Sequence, residues 1–409
     1  MWSLTAKFKT LLLTSGALAI AASLMIFPKA SYEASLRGLE IWWDVVFPSL
    51  LPFFIVSELL IGFGIVRLLG SVFEPFMRPL FRVPGSGGFV WAMGLASGYP
   101  AGAKLTARLR QENQLTKLEA ERLSSFTNFS NPLFMFGAVA VGFFHNAALG
   151  LLIAVSHYLG NLCVGLVMRF HGKRSEHAYG FRGYRKASVR KAFNLLHRER
   201  MRDNRPLGKL LGDAVYSSVS TLLMIGGFVI LFSVINRVFQ LLHVTQGIAV
   251  IVSVVFTQLH IPPQLSHALV SGIFEITLGS KTASQIDVAL FYQIVVIGFI
   301  LAFSGFSVQA QVASILADTD ISFKPFFVAR CLHGVFASIL TMLLWKPLFL
   351  DRIQNKAATV ADTIDPGTSQ TFGGWIWQYL LHYGAMITFA ALLTYIAILI
   401  KSMKQKFPV

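Results

Sequence analysis

Apolar runs long enough to cross a lipid bilayer recur along this chain, and they limit its fold more than any other feature. The chain has 409 residues, of which 55% are hydrophobic and only 13% charged, and its mean hydropathy is +0.63. A helix needs about 20 apolar residues to span a hydrocarbon core of about 30 Å. The composition therefore predicts an all-α polytopic membrane protein rather than two or three soluble domains.

The net charge of +16 does not predict nucleic-acid binding, because much of it lies in one segment between apolar runs. Residues 169–209 contain thirteen Lys and Arg but only three acidic residues. Basic loops beside membrane spans report topology and contact anionic lipids, so we expect this segment to face the cytoplasm. Nucleic acid is therefore not an expected partner.

No motif in the sequence indicates an enzyme, a metal site or a cofactor. There is no Walker A sequence, no His-Glu-x-x-His and no acidic cluster. Cys163 and Cys331 both lie within apolar runs, which argues against a disulfide framework or a thiol metal site. Any process that needs energy must then draw it from a gradient or from a partner protein.

We expect eight crossing helices, and the basic loop divides them into two similar halves. An N-terminal signal peptide is the alternative for the first run, but residues 27–30 make a poor cleavage site. The predicted spans are 11–27, 41–69, 125–144, 147–168, 215–239, 288–316, 325–350 and 375–400. The corresponding domains are an N-terminal span and loop (1–40), a first repeat (41–168), the basic loop (169–214), a second repeat (215–350) and a C-terminal loop and span (351–409).

Two further apolar segments, 85–106 and 262–284, are predicted to be re-entrant helical hairpins. Glycine costs about 1 kcal/mol and proline about 3 kcal/mol inside a helix, so a break is expected in each. Amphipathic connectors are predicted before them, at 73–83, interrupted by Pro75 and Pro79, and at 245–260. The candidate hinge residues are Gly98, Pro100, Gly102, Pro132, Gly279 and Gly305.

The two halves repeat each other at a constant offset of 177 residues. Gly102-Ala103-Lys104 matches Gly279-Ser280-Lys281, and the Phe126 to Ser130 motif matches Phe303 to Ser307. With the basic loop inside, both termini are predicted to be cytoplasmic and the hairpins to enter from opposite faces. Inverted repeats with broken helices are typical of alternating-access transporters that bind substrate near mid-depth.

Lys104 and Lys281 occupy matched positions near the ends of the two hairpins, and both are candidate substrate ligands. Hairpins that meet at mid-depth would bring two ammonium groups and helix N-termini towards one cavity, which suits an anion such as a dicarboxylate. The alternative is that each lysine snorkels to an interface as a topology anchor.

Polar residues interrupt the matched spans 125–144 and 288–316. Unwound helix is tolerated at membrane depth only where it is buried in protein or lines a cavity, so these residues are candidates for lining a binding site. They could instead hydrogen-bond neighbouring helices as packing contacts. The candidates are Asn128, Ser130, Asn131, Ser304, Ser307 and Gln309.

Isolated ionisable residues in apolar surroundings give further candidates. Glu275 could pair with Lys281, carry a coupling proton or form a purely structural ion pair. His157 and His333 would titrate near physiological pH if unperturbed, although hydrogen-bonded packing is the better interpretation of both. Phe129 and Phe306 could stack on an aromatic ligand, but with 36 phenylalanines in the chain packing is again favoured.

Three stretches carry a resemblance to a known family: WWDVVFPSLLPFF (42–54), GLASGYPAGAK (94–104) and NFSNP (128–132). With these stretches the chain resembles the YlbJ-type sporulation integral membrane proteins, also called SpoVV, over nearly its whole length. The resemblance implies two nucleoside-recognition (Gate) domains and a plan similar to that of concentrative nucleoside transporters.

The resemblance implies movement of dipicolinate, a planar aromatic dianion, from the mother cell across the outer forespore membrane of an endospore-forming bacterium. The acidic residues with which nucleoside transporters bind ribose and base have no clear match here, so their substrate class is not carried over. Two alternatives stay open, a nucleoside or other small-solute carrier and a non-transporting assembly protein of the spore envelope. A homo-oligomer and a partner transporter in the inner forespore membrane also stay open, as do the coupling ion and the transport direction.

Overall fold

The computed structural model describes residues 4–63, 65–172 and 206–352, and every regular element in these ranges is helical. Most of the basic loop and the predicted span 375–400, with the loop before it, lie outside the described residues. Four helical stretches in the described part are long and apolar enough to cross a membrane: Leu149–Met168, Leu207–Leu241, Leu290–Ala317 and Phe323–Leu350.

The first half contains eight α-helices and two π-helical segments. One π-helical segment, Trp42–Val46, joins α2 to α3, and the other, Leu133–Phe143, lies between α7 and α8. The α-helices are α1 (Leu4–Ile26), α2 (Pro28–Ile41), α3 (Phe47–Gly62), α4 (Ile65–Phe81), α5 (Ser86–Ser97), α6 (Ala101–Gln111), α7 (Lys117–Thr127) and α8 (Leu149–Met168).

The second half, as described to residue 352, contains seven α-helices. A short 3₁₀ turn, Pro263–Leu265, precedes α11, and a π-helical segment, Lys346–Leu350, continues α15. The α-helices are α9 (Leu207–Leu241), α10 (Val244–Gln258), α11 (Ser266–Phe274), α12 (Ile276–Gln285), α13 (Leu290–Phe303), α14 (Gly305–Ala317) and α15 (Phe323–Trp345).

The packing repeats with the sequence. In the first half α4 packs on α5, α5 on α6, α6 on α7 and α7 on α8; in the second half α10, α11, α12, α13 and α15 pack in the same succession. Two reciprocal contacts cross from one half to the other: α6 packs on α14, and α12 packs on the π-helical segment 133–143. Each hairpin therefore contacts the broken helix of the opposite half. α8 and α15, which occupy matched positions, pack along each other.

The predicted helix breaks are present in the structure. α5 and α6 are separated by Gly98–Pro100, and α11 and α12 meet at Glu275. The span predicted at 125–144 breaks after Thr127, and the one predicted at 288–316 breaks at Ser304. Ser304 and Gly305 have φ angles of 70° and 64°, a left-handed conformation that a continuous helix excludes.

Two predicted boundaries were wrong. The expected span 41–69 ends at Gly62, and its helical run begins earlier, at Pro28. The connector expected to be interrupted by Pro75 and Pro79 is the single helix α4. Proline inside a helix costs about 3 kcal/mol, and the tight packing of α4 along α5 offsets this cost, since Phe73 fills the space beside Gly88.

Side-chain contacts also join the two halves. The Trp42 indole donates a hydrogen bond to the carbonyl of Leu222 on α9 (2.9 Å). Arg110, at the end of α6, makes a bidentate ion pair with Asp320 (2.8 and 2.9 Å). This guanidinium holds the pKa of the Asp320 carboxyl, which lies in the loop before α15, below its ordinary value.

Gly102 and Gly279, predicted as hinge residues, lie inside α6 and α12 and not at the breaks, and they allow very close helix contacts there. A Cβ at Gly102 would lie 1.9 Å from the carbonyl oxygen of Thr127, and a Cβ at Gly279 would lie 2.2 Å from the Cα of Gly272. Both obstacles are backbone atoms, which cannot move aside as a flexible side chain can. The α6–α7 and α11–α12 contacts therefore require glycine.

We expect Gly102→Ala to destabilise the purified protein by about 1–3 kcal/mol or more, as overpacking of a close contact does. The measurement is the thermal unfolding midpoint in detergent. Gly247→Ala on α10 is the matched control, because nothing lies within 4 Å of the added Cβ. Equal midpoints for the two variants would contradict the packing of α6 on α7.

Candidate functional site

The α7 break, residues 128–132, brings a polar segment into the protein interior. Asn128 and Ser130 are fully buried there. Asn131 ties this segment to the first hairpin: its side-chain nitrogen donates to the carbonyl of Ser97 (3.0 Å), while its oxygen accepts from the backbone N–H of Phe134 (2.8 Å). Pro132 then starts the π-helical segment 133–143. Asn131 therefore caps this segment and anchors the end of α5.

The α13 break, Ser304–Gly305, has carbonyl groups that neutral donors satisfy. The Tyr99 hydroxyl, from the first hairpin, donates to the carbonyl of Leu301, and the Gln309 amide donates to that of Phe303 (2.9 Å). Tyr99 also lies beside the Ser130 side chain. The tip of the first hairpin thus contacts the breaks of both halves.

Arg330 on α15 lies at the centre of this region and is fully buried. Its guanidinium donates to the carbonyl of Asn128 (2.6 Å) and to the carbonyl of Ser125, and it also contacts Asn161 Oδ1 (3.3 Å). Since Ser125 and Asn128 flank the end of α7, Arg330 satisfies carbonyls that the break leaves without helical partners. Sequence reasoning missed Arg330, although an arginine within an apolar span is a signal of the same kind as Glu275.

The two buried histidines extend the Arg330 network, and their hydrogen bonds define their tautomers. His333 Nε2 contacts the carbonyl of His157 (2.8 Å), which can only accept, so Nε2 carries the proton and Nδ1 accepts from Arg330 (3.0 Å). His157 Nε2 accepts from the backbone N–H of Ser130 (3.0 Å), so its proton is on Nδ1. Both rings are therefore neutral, and their centroids lie 4.6 Å apart.

Several polar atoms at the two breaks have no hydrogen-bond partner within the described residues. Buried polar atoms are normally paired, so such a group marks a place where a ligand, a water molecule or a second conformation completes the structure. The atoms are the side-chain nitrogen and oxygen of Asn128, Nδ1 of His157, Oγ of Ser304 and Oε1 of Gln309. Ser307 is also buried, on the first turn of α14.

Lys104 lies on α6 and makes an ion pair that sequence reasoning did not predict. Its ammonium group is 3.3 Å from Glu58 Oε1 on α3, and it is 3.4 Å from the carbonyl of Ser217 on α9. The Ser217 hydroxyl also donates to Glu58 (2.9 Å), and the ring of Phe54 lies 4.8 Å below the ammonium. The side chains of Lys104 and Glu58 are only 12% and 11% exposed.

A small pocket adjoins this ion pair. It combines a cation, a carboxylate and an aromatic ring, and it is lined by Phe54, Ser57, Glu58, Ala101, Lys104 and Leu105. Lys281 is not among these residues. An ammonium group beside an aromatic face can hold the carboxylate of a planar ligand, provided that Glu58 releases it.

Lys281 and Glu275 occupy different surroundings from those of Lys104. Lys281 is exposed, and no contact within the described residues joins it to Lys104 or to Glu275. The pairing of Glu275 with Lys281 was therefore not found. Glu275 caps α12 instead, because its carboxylate accepts from the backbone N–H groups of Thr277 (3.0 Å) and Leu278 (2.7 Å). Both carboxylate oxygens of Glu275 are therefore used at the N-terminus of α12.

The structure thus joins the polar breaks of both halves through Arg330, His333 and Tyr99, and it places Lys104 in a pocket beside them. Gly102, two residues before Lys104, touches the Thr127 carbonyl at the α7 break. No group of His, Cys, Asp and Glu side chains within residues 4–63, 65–172 and 206–352 could hold a metal ion.

A duplicated helical core with apolar spans, broken helices and a buried polar centre defines a polytopic membrane protein of transporter-like plan. Comparison with known proteins agrees. Residues 43–147 match the Gate family, described as nucleoside recognition. The chain is 57% identical to the sporulation integral membrane protein YlbJ of Bacillus subtilis over 396 residues, which cover 96% of each protein. No solved structure shows significant similarity to the chain. The chain belongs to the YlbJ family of sporulation integral membrane proteins.

A double-mutant cycle tests the Lys104–Glu58 pair. We expect Lys104→Met and Glu58→Met each to lower the thermal unfolding midpoint, because each leaves a desolvated charge without its partner at a cost of up to about 3–5 kcal/mol. The double variant should recover part of the loss.

The matched control is the more exposed pair Arg110–Asp320, whose side chains are 26% and 50% exposed. Exposed ion pairs contribute about 0–1 kcal/mol to the free energy of unfolding. Single variants of Arg110 and Asp320 should therefore change the unfolding midpoint little. Additive losses in the Lys104–Glu58 cycle would show that the two groups do not interact.

Proposed function

We propose that this protein is a transporter that moves dipicolinate, a small aromatic dicarboxylate, from the mother cell across the outer forespore membrane by alternating access. The observation that carries the proposal is the exchange of contacts between halves, in which each hairpin packs on the broken helix of the other half. Repeated, broken helices around a central site are the plan of secondary transporters. Membership of a sporulation family supports the cellular setting.

The proposed topology has eight crossings and two re-entrant hairpins that enter from opposite faces. The repeats are residues 41–168 and 215–350 and are inverted in the membrane, flanked by 1–40 and 351–409 and joined by the cytoplasmic loop 169–214. Matched packing of α4–α8 and α10–α15 supports the duplication. The inversion follows from the positive-inside rule applied to the basic loop.

Lys104 supports an anionic substrate. Its ammonium is largely buried and lies beside both the Phe54 ring and the Glu58 carboxylate. In the proposed cycle a substrate carboxylate takes the place of Glu58 on Lys104, and the aromatic ring of the substrate packs near Phe54. Asn128, Ser304 and Gln309, which have unpartnered polar atoms, supply further hydrogen bonds. Lys281 receives the second carboxylate in another conformation of the cycle.

A nucleoside carrier is the second candidate, favoured by the match of residues 43–147 to a family described as nucleoside recognition. A neutral nucleoside gains less than a dianion from a desolvated ammonium group, because only the dianion compensates its charge. A non-transporting assembly protein would need neither lysine. These alternatives predict different outcomes in the experiments below.

We expect Lys104→Gln to lower the dipicolinate content of spores strongly while membrane abundance of the protein stays near normal, because the glutamine amide, unlike methionine, can still donate a hydrogen bond to Glu58. Loss of 1.4 kcal/mol of binding free energy already reduces affinity about tenfold. Lys281→Gln should have a smaller effect, since water screens an exposed charge. Arg at position 104 should rescue only in part, because its planar fork differs in geometry from an ammonium group.

Lys324→Gln is the matched control, because it removes an exposed lysine of α15 that no described carboxylate pairs with. Dipicolinate content and protein abundance are measured in the same spores and membranes. Normal dipicolinate at normal abundance in the Lys104→Gln strain would refute the anion site. Parallel loss of dipicolinate and protein would assign Lys104 to folding.

The topology is tested by cysteine accessibility in a background that lacks Cys163 and Cys331. Arg190→Cys in the basic loop and Gln405→Cys in the C-terminal tail should both react with an impermeant thiol reagent only from the cytoplasmic side. Labelling of the two positions from opposite sides of the membrane would contradict the even number of crossings between them.

A further inference from the structure

The buried guanidinium of Arg330 has no acidic partner among the described residues. All of its acceptors are neutral: two backbone carbonyls, the Asn161 amide oxygen and His333 Nδ1. A buried charge is normally paired or coordinated because its desolvation is costly. The positive charge of Arg330 is therefore compensated by neutral acceptors and by the ring of Phe326, whose centroid lies 5.4 Å from the guanidinium carbon.

These carbonyls lie where a broken helix attracts cations. Ser125 O and Asn128 O belong to the C-terminal end of α7 and the residue after it, where the helix dipole is negative. Unwound carbonyls and the C-terminal ends of half-helices coordinate the coupling cation in sodium-driven transporters. In this protein a guanidinium group occupies such a position.

The two halves differ on this point in spite of their matched packing. At the α13 break the carbonyls of Leu301 and Phe303 accept from the neutral donors Tyr99 and Gln309. The residue matched to Arg330 in the first half, 177 positions earlier, is the apolar Ile153. The cation is therefore a specific feature of the α7 break and not a by-product of the duplication.

We propose that Arg330 is a tethered cation that takes the place of a coupling metal ion at the α7 break, so that the ligand-binding state assembles without Na⁺. The placement of the charge does not depend on which solute is carried. Its consequence for coupling rests on the transport function proposed above. A transporter with this built-in cation cannot be driven by sodium through this position, and its driving force must come from another gradient.

Removal of the guanidinium should create a site that binds a free cation. Arg330→Ala leaves the carbonyls of Ser125 and Asn128 without donors in an apolar interior, and a small alkali ion can coordinate them. The purified full-length variant should unfold at a lower temperature in choline chloride than the wild type. Sodium chloride at the same ionic strength should restore part of the loss.

Arg122→Ala is the matched control. Arg122 is also fully buried and donates to the backbone carbonyls of His171 (3.0 Å) and Arg82 (3.2 Å). Those acceptors belong to residues that are themselves only half-buried, so water can replace the guanidinium there. The unfolding midpoint of Arg122→Ala should therefore fall, relative to the wild type, by the same amount in sodium chloride and in choline chloride.

Two further measurements keep the proposal testable if Arg330→Ala does not fold. Arg330→Lys keeps the positive charge on a shorter side chain. Its thermal unfolding midpoint should not depend on Na⁺. Dipicolinate should stabilise the wild type equally in sodium chloride and in choline chloride. The apparent affinities obtained from this stabilisation should agree within about twofold.

A wild-type midpoint that rises with Na⁺, or stabilisation by dipicolinate that requires Na⁺, would overturn the tethered-cation proposal. So would an Arg330→Ala protein that folds and is indifferent to Na⁺. Absence of stabilisation by dipicolinate in both salts would count against the proposed substrate. The midpoints without ligand would then decide the role of Arg330 independently.

Discussion

The need to satisfy backbone carbonyls freed by broken helices underlies the rest of this structure. In a hydrocarbon environment no water is available at a helix break, so each freed carbonyl must find a donor within the protein. Arg330 supplies it at the α7 break, and Tyr99 and Gln309 supply it at the α13 break. Two of these three donors, Arg330 and Tyr99, come from the opposite half of the chain, so the breaks hold the two repeats together. The same contacts keep polar side chains such as Asn128 buried inside the protein.

Matched positions do not have matched surroundings in this duplicated protein. Lys104 and Lys281 are equivalent in sequence, but Lys104 has a carboxylate partner in Glu58, whereas the residue equivalent to Glu58 in the second half is Ile235. Arg330 and Ile153 differ in the same way. A duplicated scaffold can keep its packing while charge is concentrated in one half.

Although Pro75 and Pro79 lie inside the continuous helix α4, the sequence predicted the breaks at Gly98, Pro100 and Pro132, because glycine and proline are unfavourable inside a helix. It did not predict the partners of the charged residues. The Lys104–Glu58–Ser217 contact joins three helices that are distant in the chain, and no spacing rule connects them. Glu58 and Arg330 were still detectable as lone charges in apolar runs, by the argument that selected Glu275. The capping role of Glu275 depended on the local turn into α12, which hydropathy does not report.

Uptake of dipicolinate into proteoliposomes that contain the purified protein distinguishes an anion carrier from a nucleoside carrier. An anion site at Lys104 predicts saturable uptake in sodium-free buffer. Excess unlabelled dipicolinate should inhibit this uptake, benzoate, with a single carboxylate, should inhibit it weakly, and uridine should leave it unchanged. Saturable uptake of uridine, or inhibition of dipicolinate uptake by uridine as effective as that by dipicolinate itself, would contradict the anion site at Lys104 and favour a nucleoside carrier. Uptake no faster than in protein-free vesicles would contradict transport itself.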